Sequence, residues 1–202
     1  MRRLIIFFPV VSAFWFVTTI TYAGIKHSNY QHMSQFISEL GATGEANGQI
    51  VNLFGFIPTS FFLSCFVCLA IFLSSRQLKE ILGLTAIGVY AITLGVAAVF
   101  PCDPGCVADN PSVSQIIHNL SAIVGYACGV VGVFLLASSV TRKGNKMLGT
   151  IGFALGGVAV VMFFLVTPEF SFHGLAQRVF ELCMYIWIML YSFYMQSILQ
   201  NK

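Results

Sequence analysis

An all-α integral membrane protein, a single domain built as a six-transmembrane-helix bundle, is the fold this sequence predicts. Three observations carry the prediction. Hydrophobic residues make up 57% and charged residues only 8% of the 202-residue chain, against roughly a quarter charged in soluble domains. The apolar residues gather into six runs, at about 4–23, 50–74, 81–100, 116–140, 147–167 and 175–199. Each approaches or exceeds the ~20 residues that carry a helix across a hydrocarbon core of about 30 Å. None alternates as a strand would, and lipid offers no partner to open backbone, so all six are read as helices.

The first run follows Arg2 and Arg3 and ends near "TYAG", which imitates a signal peptide with a weak cleavage site. Its length is that of a retained helix. Basic residues then orient the bundle. Arg2, Arg3, Arg76, Lys79, Arg142, Lys143, Lys146 and Lys202 fall on one side, and only Lys26 and Arg178 on the other. By the positive-inside rule this predicts a bacterial cytoplasmic (inner) membrane protein with both termini cytoplasmic. Glu39, Glu45, Asp103, Asp109, Glu169 and Glu181, and all four histidines, lie on or just below the opposite face. The formal net charge of +3 therefore reflects topology, and no nucleic-acid partner is expected.

The long first outer loop is more than a connector. Ser28 and Gln31 have the spacing of a capping box, and Gly41 stands where a helix would end, so a short helix over 29–40 is predicted. On it His32, Gln35 and Glu39 make a polar stripe opposite Met33, Phe36, Ile37 and Leu40. Two readings stand. The helix lies on the bilayer surface with its stripe in water, or it is a lid whose stripe faces a cavity.

In the second run Pro58 predicts a kink or a gap in the hydrogen-bond ladder. The third run ends in "FPCDPGC", where Cys102 and Cys106 bracket Asp103. On an oxidising face the cysteines can form a disulfide that fixes the aspartate. Alternatively the prolines and glycine merely end the helix, or the pair ligates a metal, for which Cys-x-x-x-Cys is a weak signal. Cys65, Cys68, Cys128 and Cys183 sit in apolar runs as small core residues.

The fourth run carries His118 near its outer end, with Gln115 and Ser121 on either side, and a Gly125-x-x-x-Gly129 spacing. The fifth carries Gly152-x-x-x-Gly156, and both spacings allow close helix approach. In the sixth, Arg178 and Glu181 share a face at i and i+3 and can pair. The short loops "SSRQLKE" and "TRKGNK" have no room for a site, and no internal repeat suggests an inverted-repeat transporter.

Taken together, "YQHMSQFISELGATG", Asn52, "FPCDPG", His118, Gln177, Arg178, Glu181 and Trp187 resemble the bacterial and archaeal membrane family catalogued as domain of unknown function 998. The resemblance covers nearly the whole chain, and departs from the pattern at Glu45–Ala46, where many relatives carry a proline. More distantly, "ISELGA" is similar to a loop of eukaryotic six-helix proteins of the autophagy-modulator and GPI-anchor-remodelling type, which implies an involvement with lipid.

The expected site is a polar pocket in the outer leaflet, since ionisable groups below the interface need partners or a cavity. His32, Glu39, Asp103, His118, Arg178 and Glu181 are expected to share it. In an enzymatic version, a lipid-remodelling hydrolase or acyltransferase, His32 or His118 acts as general base, oriented by Glu39 or Asp103, with Ser38 or water attacking. Tyr30, Gln35, Asn52, Gln177, Arg178 and Glu181 would contact substrate, with Arg178 clamping a phosphate or carboxylate. A metal version gathers His32, His118 and a carboxylate around zinc. Non-enzymatic alternatives are an accessory or assembly subunit, with a protein partner or a second copy, and a small ion-coupled transporter. The transporter would need polar residues deeper in the helices.

Overall fold

The computed structural model describes residues 3–200, so Arg2 and Lys202, counted above for orientation, lie outside the described residues. Six long helices carry the chain: α1 (Leu4–Lys26), α2 (Gly48–Leu73), α3 (Leu78–Val99), α4 (Val113–Arg142), α5 (Lys146–Leu165) and α6 (His173–Gln200). All are long and apolar enough to cross a membrane, and no strand occurs among the described residues. Most extend a few residues beyond the apolar windows because polar caps continue them. Ser112 accepts from Gln115 N at the start of α4, and Asn145 from Leu148 N at the start of α5.

Each helix packs against its neighbours in the chain, most extensively α3 on α4, and α1 against α6 closes the ring. One face carries the long loop between α1 and α2, the α3–α4 loop and the α5–α6 turn; it is called the loop face below. The other, the terminal face, carries the two short connections and the start and end of the ring. Phe66, Leu84, Ile87, Leu136, Met184, Trp187 and Tyr191 are almost fully buried within the ring.

Glycine lets the helices close up. A Cβ on Gly125 would collide with Thr93, and one on Gly132 would stand 2.9 Å from the Gly83 carbonyl. The two predicted glycine spacings thus lie at helix contacts: Gly129 faces Met184 and Tyr90, Gly152 faces Trp187, and Gly156 faces Phe134.

Proline 58 acts as its chemistry requires. Lacking an N–H, it cannot bond the carbonyl of Phe54 four residues back. A π-helical turn, Asn52–Phe56, precedes it, and the freed Phe54 carbonyl accepts from Trp15 Nε1 at 2.6 Å. The irregularity in α2 is therefore satisfied from α1 rather than left open to lipid.

The helix predicted over 29–40 does not form. Asn29 has a positive φ of 61°, residues 32–34 turn, and only a short 3-10 helix, Ile37–Gly41, follows. The Ser28/Gln31 spacing caps nothing; Gln31 N instead donates to Gln35 Oε1 at 2.7 Å. The amphipathic spacing lost to side-chain bonds with the bundle, described below.

The glycine contacts give a test. Gly152→Val drives methyl groups into the Trp187 ring, whose nearest carbons lie 2.5 and 2.6 Å from the would-be Cβ. It should cost about 1–3 kcal/mol, lowering the thermal midpoint of the detergent-solubilised protein. Gly157→Val, which meets nothing within 4 Å, should leave that midpoint nearly unchanged.

Candidate functional site

The loop between α1 and α2 covers the loop-face end of the ring, and α6 holds it there. Arg178 Nη1 donates to the carbonyls of Gln35 (3.1 Å) and Gly174 (2.9 Å), and Nη2 to Tyr30 Oη (2.7 Å) and His32 Nδ1 (3.2 Å). Gln177 Oε1 accepts from Ile37 N at 2.7 Å, and Leu175 N donates to the Met33 carbonyl at 2.9 Å. At Gly174 the backbone of Gln35 comes so close that any side chain would collide. From α2, Asn52 Nδ2 donates to the Gly41 carbonyl at 2.8 Å.

Glu39, the buried acid of the loop, braces the loop itself. Its Oε1 accepts from Phe36 N and its Oε2 from Gln35 Nε2, both at 2.7 Å. Tyr30, whose pKa burial pushes up to about 12, stays protonated and donates to the Phe36 carbonyl at 2.7 Å. Farther along the loop, Glu45 pairs with His27 at 3.0 Å.

His32 is exposed but not free. Arginine only donates, so Nδ1 must be the acceptor and the ring neutral. Partial desolvation and then the Arg178 charge lower its pKa below 6.5. Asp103 is likewise occupied at the surface. Its Oδ2 accepts from Ser112 N at 2.8 Å, and that bond holds its pKa below the usual carboxylate range. Gln115 staples the same loop, accepting from Asp103 N (2.6 Å) and donating to the Cys106 carbonyl (2.9 Å). Cys102 and Cys106 are joined as a disulfide across a Cα separation of 4.9 Å.

Beneath the loop lies a central cavity of about 60 Å³, walled by every helix except α5. Glu181 is its only charged wall residue, with Ser38, Asn52, Tyr90, Thr93, His118, Ser121, Tyr126 and Gln177 as its polar ones. Tyr90 donates to Glu181 Oε2, Tyr126 to Oε1 at 2.8 Å, and Gln177 Nε2 to Tyr126 Oη at 3.1 Å. His118 Nδ1 lies 2.9 Å from the Ala97 carbonyl and 3.0 Å from that of Phe100. Carbonyls cannot donate, so Nδ1 carries a proton, and in the neutral ring Nε2 is then the lone-pair acceptor.

Two grooves share walls with this cavity. An apolar one of about 560 Å³ runs between α1 and α6, meeting the cavity at Phe16, Ile37 and Glu181. Another of about 270 Å³ lies between α4 and α5, meeting it at Ser38, His118, Tyr126 and Gln177.

The six residues expected in one pocket therefore separate. His118 and Glu181 face the cavity, with Ser38, Asn52 and Gln177. His32, Gln35, Glu39, Tyr30 and Arg178 form the outer fastening, and Asp103 a surface turn. Arg178 does not pair with Glu181. Four of its five N–H groups are committed, which leaves little for a phosphate. No three of the His, Cys, Asp and Glu side chains converge for a metal among the described residues, so the set of His32, His118 and a carboxylate is not assembled. Neither Glu39 nor Asp103 contacts a histidine, and no hydrogen bond joins Ser38 to one. Ser38 Oγ instead lies 3.3 Å from the disulfide sulfur of Cys106.

Tyr90, Tyr126 and Thr93 are site residues that the sequence reading passed over. Asking what could hold a carboxylate at the depth of Glu181 would have found the tyrosines. A second cluster was also missed, on the terminal face. Glu80 accepts from Lys143 Nζ (2.7 Å), Tyr191 Oη (2.9 Å) and the Ser75 hydroxyl, joining α3, α4 and α6.

A ring of six helices long and apolar enough to span a membrane, with a cavity beneath a fastened loop, defines an integral membrane protein. The sequence matches the family model described as "Protein of unknown function (DUF998)" over residues 10–194, and the chain belongs to that family. No curated protein and no solved structure matches it.

The His32–Arg178 contact predicts acid sensitivity. Because the folded pKa is lowered, the stabilisation is complete above about pH 6.5 and is lost as the pH falls below it toward the folded value. Amide hydrogen exchange over 33–37, corrected for intrinsic rates, should speed up at pH 5 relative to pH 7.5. His32→Gln, which accepts from Arg178 at either pH, should remove the difference.

Proposed function

We propose that the protein binds a membrane amphiphile, with the polar end in the central cavity and the apolar part in the groove between α1 and α6. One observation carries this reading: a cavity lined by a few polar groups, Glu181 and His118 among them, shares its wall with an apolar groove that opens between α1 and α6. Such a join of a few placed polar groups to an apolar cleft is the usual build of a ligand site. The grooves permit entry from the side, since the loop above is tied down at Tyr30, Ile37, Gly41 and Arg178.

Binding needs no reaction. Should the protein be a lipid-remodelling hydrolase or acyltransferase, His118 is the predicted base that faces the cavity, with Nδ1–H anchored and Nε2 free. His32, Glu39 and Asp103 then position the loops rather than react. An ion-coupled transporter would link Glu181 to the Glu80 cluster. Between them stand Ile87, Met184 and Trp187, each almost fully buried. An accessory subunit would use the cavity residues only to join helices, which leaves His118 Nε2 and the groove without a purpose.

A photoreactive alkyl-chain lipid in the membrane tests the binding reading. Labelling should concentrate on Val17, Leu182 and Ile186 in the groove, and Ser121→Trp, which fills the cavity, should reduce it severalfold. Labelling spread evenly onto Phe61 and Phe164, which are more exposed, would count against it.

Orientation follows from charge. We place the loop face outside a bacterial cytoplasmic membrane, and both termini inside, on the excess of basic residues at the terminal face. Reporter fusions at the C-terminus should be active only as cytoplasmic reporters. Activity of a periplasmic reporter there would invert the placement.

A further inference from the structure

We infer that the cavity takes the polar end of its ligand as a cation, an organic ammonium group, and discriminates against phosphate and carboxylate. This rests on the amphiphile-binding reading and names the chemistry of its polar end.

The argument is an inventory of what the walls have left to offer. Glu181 is the one formally charged side chain lining the cavity. Tyr90 and Tyr126 spend their hydroxyl protons on it, and Thr93 spends its own on the Tyr90 carbonyl at 3.0 Å. Those three oxygens therefore present lone pairs, as does Nε2 of His118. The unspent donors are neutral: the Ser121 hydroxyl, the Ser38 hydroxyl beside the disulfide sulfur, and one N–H each on Asn52 and Gln177. The nearest guanidinium, Arg178, borders the neighbouring groove and turns four N–H groups to the loop.

An anion entering this space would meet the Glu181 charge and a row of lone pairs in a low-dielectric setting, where like charges repel strongly. An ammonium group finds the reverse. It donates to acceptors already oriented, and charge-assisted bonds are the stronger kind. Phe16, Phe56, Tyr90 and Tyr126 also line the cavity, and aromatic rings attract cations. Size agrees: about 60 Å³ is room for roughly four waters, enough for a terminal ammonium and its adjoining carbon but not for a sugar.

The test uses three probes of equal chain length, dodecylamine, dodecanol and dodecyl phosphate, with the full-length protein in neutral detergent at neutral pH. Binding is read by equilibrium dialysis and by the shift in thermal midpoint. The amine should bind about tenfold or more tightly than either of the others, a difference of about 1.4 kcal/mol. Glu181→Gln should bring the amine to the level of the alcohol. A smaller preference, an alcohol equal to the amine, or a phosphate equal or tighter would overturn the cation assignment while leaving amphiphile binding in place. Failure of all three to bind would overturn the amphiphile reading itself. Should Glu181→Gln not fold, the ranking on the wild-type protein decides alone.

Discussion

The guanidinium of Arg178 is the fastening on which the loop face depends. A charged side chain so close to hydrocarbon is costly unless its donors are used, and here they hold two carbonyls, a phenol and an imidazole from one loop and the first turn of α6. Without it, only Gln177 and Leu175 of α6 would still bond the loop, at Ile37 and Met33. The loop in turn buries Ile37, Leu40 and Phe36 against the bundle. Its backbone is satisfied from outside itself, through Gln177 and Asn52, and from inside, through Glu39. That division explains why a segment with helical spacing adopts turns instead: its backbone groups find partners on α6, on α2 and in Glu39 in place of the bonds a helix would make.

The spanning architecture was legible because the bilayer enforces it. Six apolar runs can only be helices of nearly fixed length, and Gly125, Gly129, Gly152, Gly156 and Pro58 each have one dominant physical consequence. The candidate site was legible only as a neighbourhood. Sequence placed His32, Glu39, Asp103, His118, Arg178 and Glu181 at one depth, but depth does not say which way a side chain turns. Arg178 and Glu181 lie one helical turn apart and yet serve different compartments, the loop and the cavity. Tyr90 and Tyr126 were invisible because a tyrosine in an apolar run reads as filling until a buried carboxylate is known to lie opposite.

The two buried carboxylates divide the bundle unequally. Glu80 has a lysine beside it, at 2.7 Å, so that cluster is neutral overall and draws three helices together at the terminal face. Glu181 has no cation among its hydrogen-bond partners, only two phenols. A carboxylate supported by hydroxyls alone keeps an outward-reaching field, which a salt-bridged one does not. The first arrangement suits a joint, and the second suits a site.

The closure of the ring by α1 against α6 joins the first spanning helix of the chain to the last. Every other main helix contact is between chain neighbours and can form as each hairpin enters the bilayer, whereas this one must wait for about 150 residues to be made. Gln177 and Glu181 arrive with α6, so during biogenesis the cavity stands as an open bay facing the acyl chains. Whatever occupies it can be enclosed as the last helix inserts.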